Sequence, residues 1–200
     1  MTDERLDKIK QLATQRQTDL AVLLENVHDP HNIGAVLRTC DAAGIFNVYI
    51  LNTDYRLPKT IEAFNEKASS GARKWVKIHF YTDLKQCFDA IKQNYTKLYA
   101  SNLNNESLEV YNIDFSSEPS ILMFGNEHEG LTAKALKQST HHFHIPQVGM
   151  VQSLNISVAC AISVYEAVRQ KKIKGHYSNN TQEHIDAIES YYLKQHYRKK

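Results

Sequence analysis

The chain has 200 residues, 42% of them hydrophobic and 23% charged, with a formal net charge of +2. That balance is typical of a globular domain large enough to bury a real core, and it excludes a disordered or fibrous chain. No apolar run nears the roughly 18 residues of a membrane span, and the start MTDERLDKIK is too polar for a secretory signal, so a cytoplasmic location is expected.

Glu4 to Gln17 carries Leu6, Ile9 and Leu12 at helical spacing. LAVLLE (Leu20 to Glu25) is a continuous apolar run, as in a strand buried on both faces. A helix follows from about Ile33, with Gly44 placed to end it, and then the strand NVYIL. Trp75 to Tyr81 reads as a strand, and Asp83 opens a helix running to about Asn94. KLYAS and SILMFG are two short strands, Thr132 to Gln138 a short helix, and Phe143 to Ile145 a last short strand. The longest helix spans Ser153 to Lys172, and Gln182 to Tyr197 is a second amphipathic segment. Alternating strands and helices predict an α/β fold, a parallel sheet with helices on both faces. Residues 20–172 form its body, flanked by a helical N-terminal arm (1–19) and a basic C-terminal arm (173–200).

Charge is uneven along the chain. From Arg169 onward there are eight Lys/Arg against three Asp/Glu, while the remainder holds 16 against 19. Tyr177, Tyr191, Tyr192 and Tyr197 are interleaved with this basic tail, a mixture suited to phosphate contact and base stacking, and equally to a solvated tail. If the tail grips phosphates, cutting near Gly175 should weaken that grip and spare the ligand pocket; the alternative is a structural helix packing on a partner subunit through Ile185, Ile188 and Tyr192. Cys40, Cys87 and Cys160 lack CxxC spacing and lie in apolar periodic segments, so buried free thiols are expected.

Parallel α/β folds place ligands in the loops that follow the carboxyl ends of strands. Three such loops are rich in polar groups: ENVHDPHN, GNEHEGL and PQVGMVQSLN. No GxGxxG occurs, and Gly130 is followed by Leu131 rather than Lys, which argues against dinucleotide and NTP sites. His142 and His144 share a strand face without a ligand cluster beside them, so no metal is expected. Arg38 stands on a mostly apolar helix six residues after Asn32, a step that leaves both near one loop-facing edge. Its guanidinium needs an anionic or carbonyl partner, either a ligand or Glu127.

Taken together, NVHDPHNIGAVLRTCDAAG, ILMFGNEHEGL and IPQVGMVQSLNISVACAISVYEA resemble the three ordered motifs of the SpoU (TrmH) family, over about Leu20 to Gln170. Its members are S-adenosylmethionine-dependent RNA ribose 2′-O-methyltransferases. The resemblance implies a C-terminal deep trefoil knot, a rare exception to unthreaded topology, and a homodimer acting on RNA. It implies catalytic work by Arg38 with Asn32, Glu127, Ser153 and Asn155, and cofactor contacts from Ser101, Gly125, Ile145, Met150 and Leu154. Arg16, Arg169, Lys171 and Lys172 are the expected RNA-binding cations. Within the family, LATQRQTDLAVLLENVHDPHN and GMVQSLNISVA most resemble the enzymes that methylate a D-loop guanosine (position 18) of tRNA. Ribosomal RNA, the tRNA wobble position and a non-catalytic RNA-binding role are the alternatives.

Overall fold

A computed structural model describes residues 1–60, 71–177 and 180–197. Its elements in chain order are α1 (Asp3–Thr14), β1 (Gln17–Glu25), α2 (Pro30–Ala42), β2 (Ile45–Leu51), β3 (Lys77–Tyr81), α3 (Leu84–Lys92), β4 (Lys97–Ser101), β5 (Leu108–Glu109), β6 (Ser120–Phe124), α4 (Ala133–Leu136), β7 (His141–His144), α5 (Ile156–Ile173) and α6 (Gln182–Tyr197). Seven strands form one sheet in the order β3-β2-β1-β6-β4-β7-β5, and every neighbouring pair is parallel.

Alternation along β1 sorts its side chains between two cores. Leu20, Val22 and Leu24 face α2 and α5, packing with Ile33, Val36, Cys40, Cys160 and Val164. Ala21 and Leu23 face the other way, toward Cys87, Phe88 and Ile91 of α3 and Ala135 of α4. Helices therefore cover both faces, and the unbroken apolar run of β1 follows from burial on both sides. All three cysteines are free and buried.

Local chemistry sets the element ends. Asp29 caps α2 by accepting from the His31 amide, with Pro30 in the first turn where its missing N–H costs nothing. Gly44, at φ 80°, closes the connection into β2 in the left-handed region. Asp83 caps α3 through the Gln86 amide.

Some boundaries differ from the sequence expectation. The third strand starts at Lys77 because Ala72–Lys74 is a 3-10 turn. The last strand begins at His141, two residues early, since its ladder to β4 pairs Tyr99 with His141. The longest helix starts at Ile156, because Asn155 caps it and leaves Ser153 and Leu154 outside. β5 was not expected: it is two exposed residues aligned only by the edge of β7.

The C-terminal helix is not a free arm. Ile188 and Tyr192 of α6 are buried against Ile9 and Ala13 of α1 and Phe46 of β2. At the centre lies Arg16, fully buried, with Nε donating to the Tyr192 hydroxyl at 2.5 Å and its other nitrogens donating to the Asp41 carbonyl and carboxylate. The Tyr192 hydroxyl in turn donates to the Trp75 carbonyl. Lys171 is also fully buried, 2.7 Å from Asp19. Arg16 and Lys171, expected to contact RNA, instead hold chain segments together. Their charges are matched inside the protein, where an unmatched cation would be costly.

His79 on β3 stacks on Tyr49 at 4.5 Å and lies 3.0 Å from Asn47. Burial, with Lys77 adding to it, pushes the imidazole down to about 4. The unfolded chain takes up this proton from about pH 6.5 downward, whereas the folded chain resists until about 4. His79 therefore contributes stability above 6.5 that is lost as the pH falls toward 4. Denaturant titrations at pH 7.5 and 5 should show a loss of order 1–3 kcal/mol, and His79→Gln should flatten that slope.

Candidate functional site

Because all strands run parallel, their carboxyl ends share one edge of the sheet. Five neighbouring strands deliver five loops there in the order β2, β1, β6, β4, β7. Asn32, in the first turn of α2 after β1, donates from Nδ2 to Glu127 Oε1 at 2.7 Å, in the loop after β6. Its Oδ1 accepts from Asn155 Nδ2 at 3.0 Å, at the entrance to α5. One half-buried amide thus ties the three loops singled out by the sequence, and both of its polar ends are used. Asn155 does double duty, since its own Oδ1 accepts from the amide and hydroxyl of Ser157.

Arg38 is exposed on α2 and makes no ion pair with Glu127 or any other described residue. The internal-pair reading of this residue therefore gives way, and its five N–H donors are left without a partner among the described residues. Ser153 is exposed and bonds to no described residue, and Met150 is 99% exposed. Neither is drawn into the Asn32 network in this single chain.

Ser101, Gly125 and Ile145 occupy the ends of β4, β6 and β7, three adjacent strands, with Leu154 half-buried nearby in sequence to Asn155. Gly125 admits no side chain: a Cβ there would lie 2.1 Å from the backbone of Gly130 and Leu131. Asn126 and Gly130 exchange backbone hydrogen bonds that fold this loop back on itself. Gly125→Ala should push the Glu127 loop apart. We expect the melting temperature to drop by several degrees, read by calorimetry, and the Asn32–Glu127 bond to be lost.

Sequence reasoning missed the residue that seats this loop. Glu25, fully buried at the end of β1, accepts from the Thr132 amide at 2.9 Å and the Thr132 hydroxyl at 2.6 Å. Burial raises its carboxyl above the usual range, and the Thr132 bonds partly offset that. Asn126 adds a bond from Nδ2 to the Asn26 carbonyl at 3.1 Å. The signal was a single acid closing an apolar run, LAVLLE.

Of the remaining expected cations, Arg169 is exposed but forked onto Glu166, and Lys172 lies over the Tyr177 ring at 4.8 Å. His142 bonds Asn104, and among the described residues no three His, Cys, Asp or Glu side chains cluster as metal ligands.

Polar side chains from several strand-end loops of a parallel α/β domain, joined around one amide, define an enzyme-type ligand site. Residues 19–165 match the model of the SpoU rRNA methylase family. The chain is 39% identical over 176 residues, 88% of each chain, to a tRNA (guanosine(18)-2′-O)-methyltransferase of Thermus thermophilus. It is 33% identical to the protein of that name from Escherichia coli, covering 88% of this chain and 75% of that one. Its fold is similar to a solved A. aeolicus TrmH/SpoU tRNA modifying enzyme, with a TM-score of 0.87, 32% identity and 98% of both chains covered. It is also similar to the SpoU methyltransferase AviRb of Streptomyces viridochromogenes in complex with AdoMet, with a TM-score of 0.66 and 25% identity over 86% of this chain and 67% of that one. The chain belongs to the SpoU rRNA methylase family, and by that membership it is an RNA methyltransferase.

Proposed function

We propose that this protein transfers a methyl group from S-adenosylmethionine to a ribose 2′-hydroxyl of tRNA, at the D-loop guanosine at position 18. The observation that carries the reading is the Glu127–Asn32–Asn155 network, with Arg38 exposed six residues further along α2 and without a partner among the described residues. The names of the relatives at 33–39% identity support the choice of substrate.

The strand ends suit the cofactor. Segment 146–154 makes no backbone hydrogen bond to other described residues, so its amides and carbonyls are available to an adenosine. Ser101 and Gly125 are small, and Ile145 and Leu154 are half-buried and apolar. When bound, S-adenosylmethionine supplies an already activated methyl. The protein's task is to align a weakly acidic hydroxyl and help remove its proton. The planar fork of Arg38 holds an RNA phosphate beside the reacting ribose; as the 2′-oxygen takes the methyl and the sulfonium C–S bond breaks, leaving S-adenosylhomocysteine, the hydroxyl proton passes to that phosphate. Asn32 and Glu127 fix the loop around that ribose, and Ser153 and Asn155 complete the pocket.

The same reading includes a C-terminal trefoil knot, the helical and basic terminal segments 1–19 and 173–200 around the methyltransferase domain 20–172, and a cytoplasmic location. It also includes a homodimer, supported by Val148, Met150, Val151, Val158 and Tyr165, which are 46–106% exposed on and before α5. Labelled-methyl transfer to unmodified tRNA, followed by nucleoside analysis, tests the proposal. Recovery of 2′-O-methylguanosine from the D-loop is expected; base methylation, or label confined to ribosomal RNA, would overturn it. Sedimentation at micromolar concentration should give twice the 23.0 kDa chain mass.

A further inference from the structure

Tyr55 is 87% exposed, the most exposed tyrosine among the described residues, although its loop is tightly built. Asn26, in the left-handed region at φ 53°, turns its side chain onto that loop. Its Oδ1 accepts from the amides of Thr53 at 2.8 Å and Asp54 at 3.1 Å, and its Nδ2 donates to the Thr53 hydroxyl. Asn52 donates to the Pro58 carbonyl at 3.0 Å, closing the loop, and Leu57 plugs it into the protein at 8% exposure. Arg56 is forked onto Asp54, and Lys59 donates to the Asp54 carbonyl at 2.7 Å. His28 lies 3.4 Å from the same carboxylate.

This loop follows β2, on the same sheet edge as the Asn32 network. Asn26 links it to the network, because the Asn26 carbonyl accepts from Asn126, beside Glu127. Arg56 is held charged chiefly by Asp54, and also feels Glu129 in the Glu127 loop. An uncovered ring on a loop held by side-chain bonds, with exposed Arg56 and Lys59 close by in the chain, is the layout of a nucleobase stacking platform, where the ring meets a base.

We propose that Tyr55 is a stacking subsite for an unpaired RNA base flanking the target nucleotide. The inference rests on the RNA-methyltransferase reading above and adds a determinant of RNA grip that lies outside its three motifs. Because the ring sits on a preformed loop, little ordering is needed on binding.

The test compares wild type, Tyr55→Ala and Tyr55→Phe in tRNA binding and steady-state methyl transfer. Tyr55→Ala should weaken tRNA binding and raise KM for tRNA about tenfold, with kcat, S-adenosylmethionine affinity and melting temperature unchanged. Tyr55→Phe, which keeps the ring, should match wild type. tRNAs carrying single abasic sites, placed one at a time through the D-loop and its neighbours, then locate the base. At one position the loss of the base and the loss of the ring should not add. Unchanged tRNA binding by an active Tyr55→Ala enzyme overturns the subsite and leaves the proposed function standing. Additivity at every abasic position overturns stacking on a base, and an altered sedimentation coefficient of Tyr55→Ala assigns the ring to a protein interface instead. A wild type that neither binds nor methylates RNA removes the functional reading, and the subsite with it.

Discussion

Arg38→Ala should lower kcat by about 10²–10³-fold while leaving the melting temperature, S-adenosylmethionine binding and most of the tRNA affinity in place. Arg38 is exposed and has no partner among the described residues, so its removal breaks no internal contact. Alanine is also the best helix former, so α2 is not weakened. What disappears is the fork of N–H donors that the proposed function assigns to an RNA phosphate. Arg38→Lys keeps the charge without the planar fork, and should recover only a small part of the rate. Single-turnover kinetics with saturating tRNA separates this from a binding defect. A tenfold or greater loss of tRNA affinity with normal single-turnover rate would move Arg38 from the reaction to the grip.

Removing everything after Gly175 should destabilise the protein rather than merely loosen its hold on RNA. The cut deletes Ile188 and Tyr192, uncovers Ile9, Ala13 and Phe46, and takes from Arg16 the hydroxyl bonded to its Nε. It also deletes Tyr177, which donates to the Ala43 carbonyl, and Asn180, which bonds the Arg16 carbonyl and Thr18. The single change Tyr192→Ala should already cost about 3–5 kcal/mol, a fall of roughly 10 °C in melting temperature for a chain of this size. The truncated protein should be less stable still, or insoluble. A truncated protein that melts like wild type but binds tRNA poorly would restore the picture of a free basic arm.

That contrast marks where sequence reading stops. Apolar strands such as LAVLLE and SILMF were legible because burial on both faces leaves an unbroken run, and Asp83 marked the start of α3; α2 starts at Pro30, three residues before the Ile33 expected, because Asp29 caps it ahead of the first apolar residue. The site residues Asn32, Glu127 and Asn155 could be placed in three loops, but their contact through one amide depends on strand order, which no local pattern encodes. Arg16 and Lys171 read as surface cations, since their partners Asp41 and Asp19 are 25 and 152 residues away in the chain. Two exposed residues made into β5 by a neighbour left no periodicity to find.

The strand order also bears on how the chain acquires its fold as it is made. β1 is central, yet one of its two partners, β6, begins at Ser120, long after β1, β2 and β3 have been synthesised. Until then a half-sheet carries β1 as an open edge, with Leu20 to Leu24 on it, all 0% exposed in the finished protein. An apolar, unpaired edge is a template for pairing with another chain. Parallel pairing across so long a loop is slow to form. Refolding yield should therefore fall steeply with protein concentration, and a charged residue placed among Leu20 to Leu24 to protect the edge is forbidden by the two cores they must later fill.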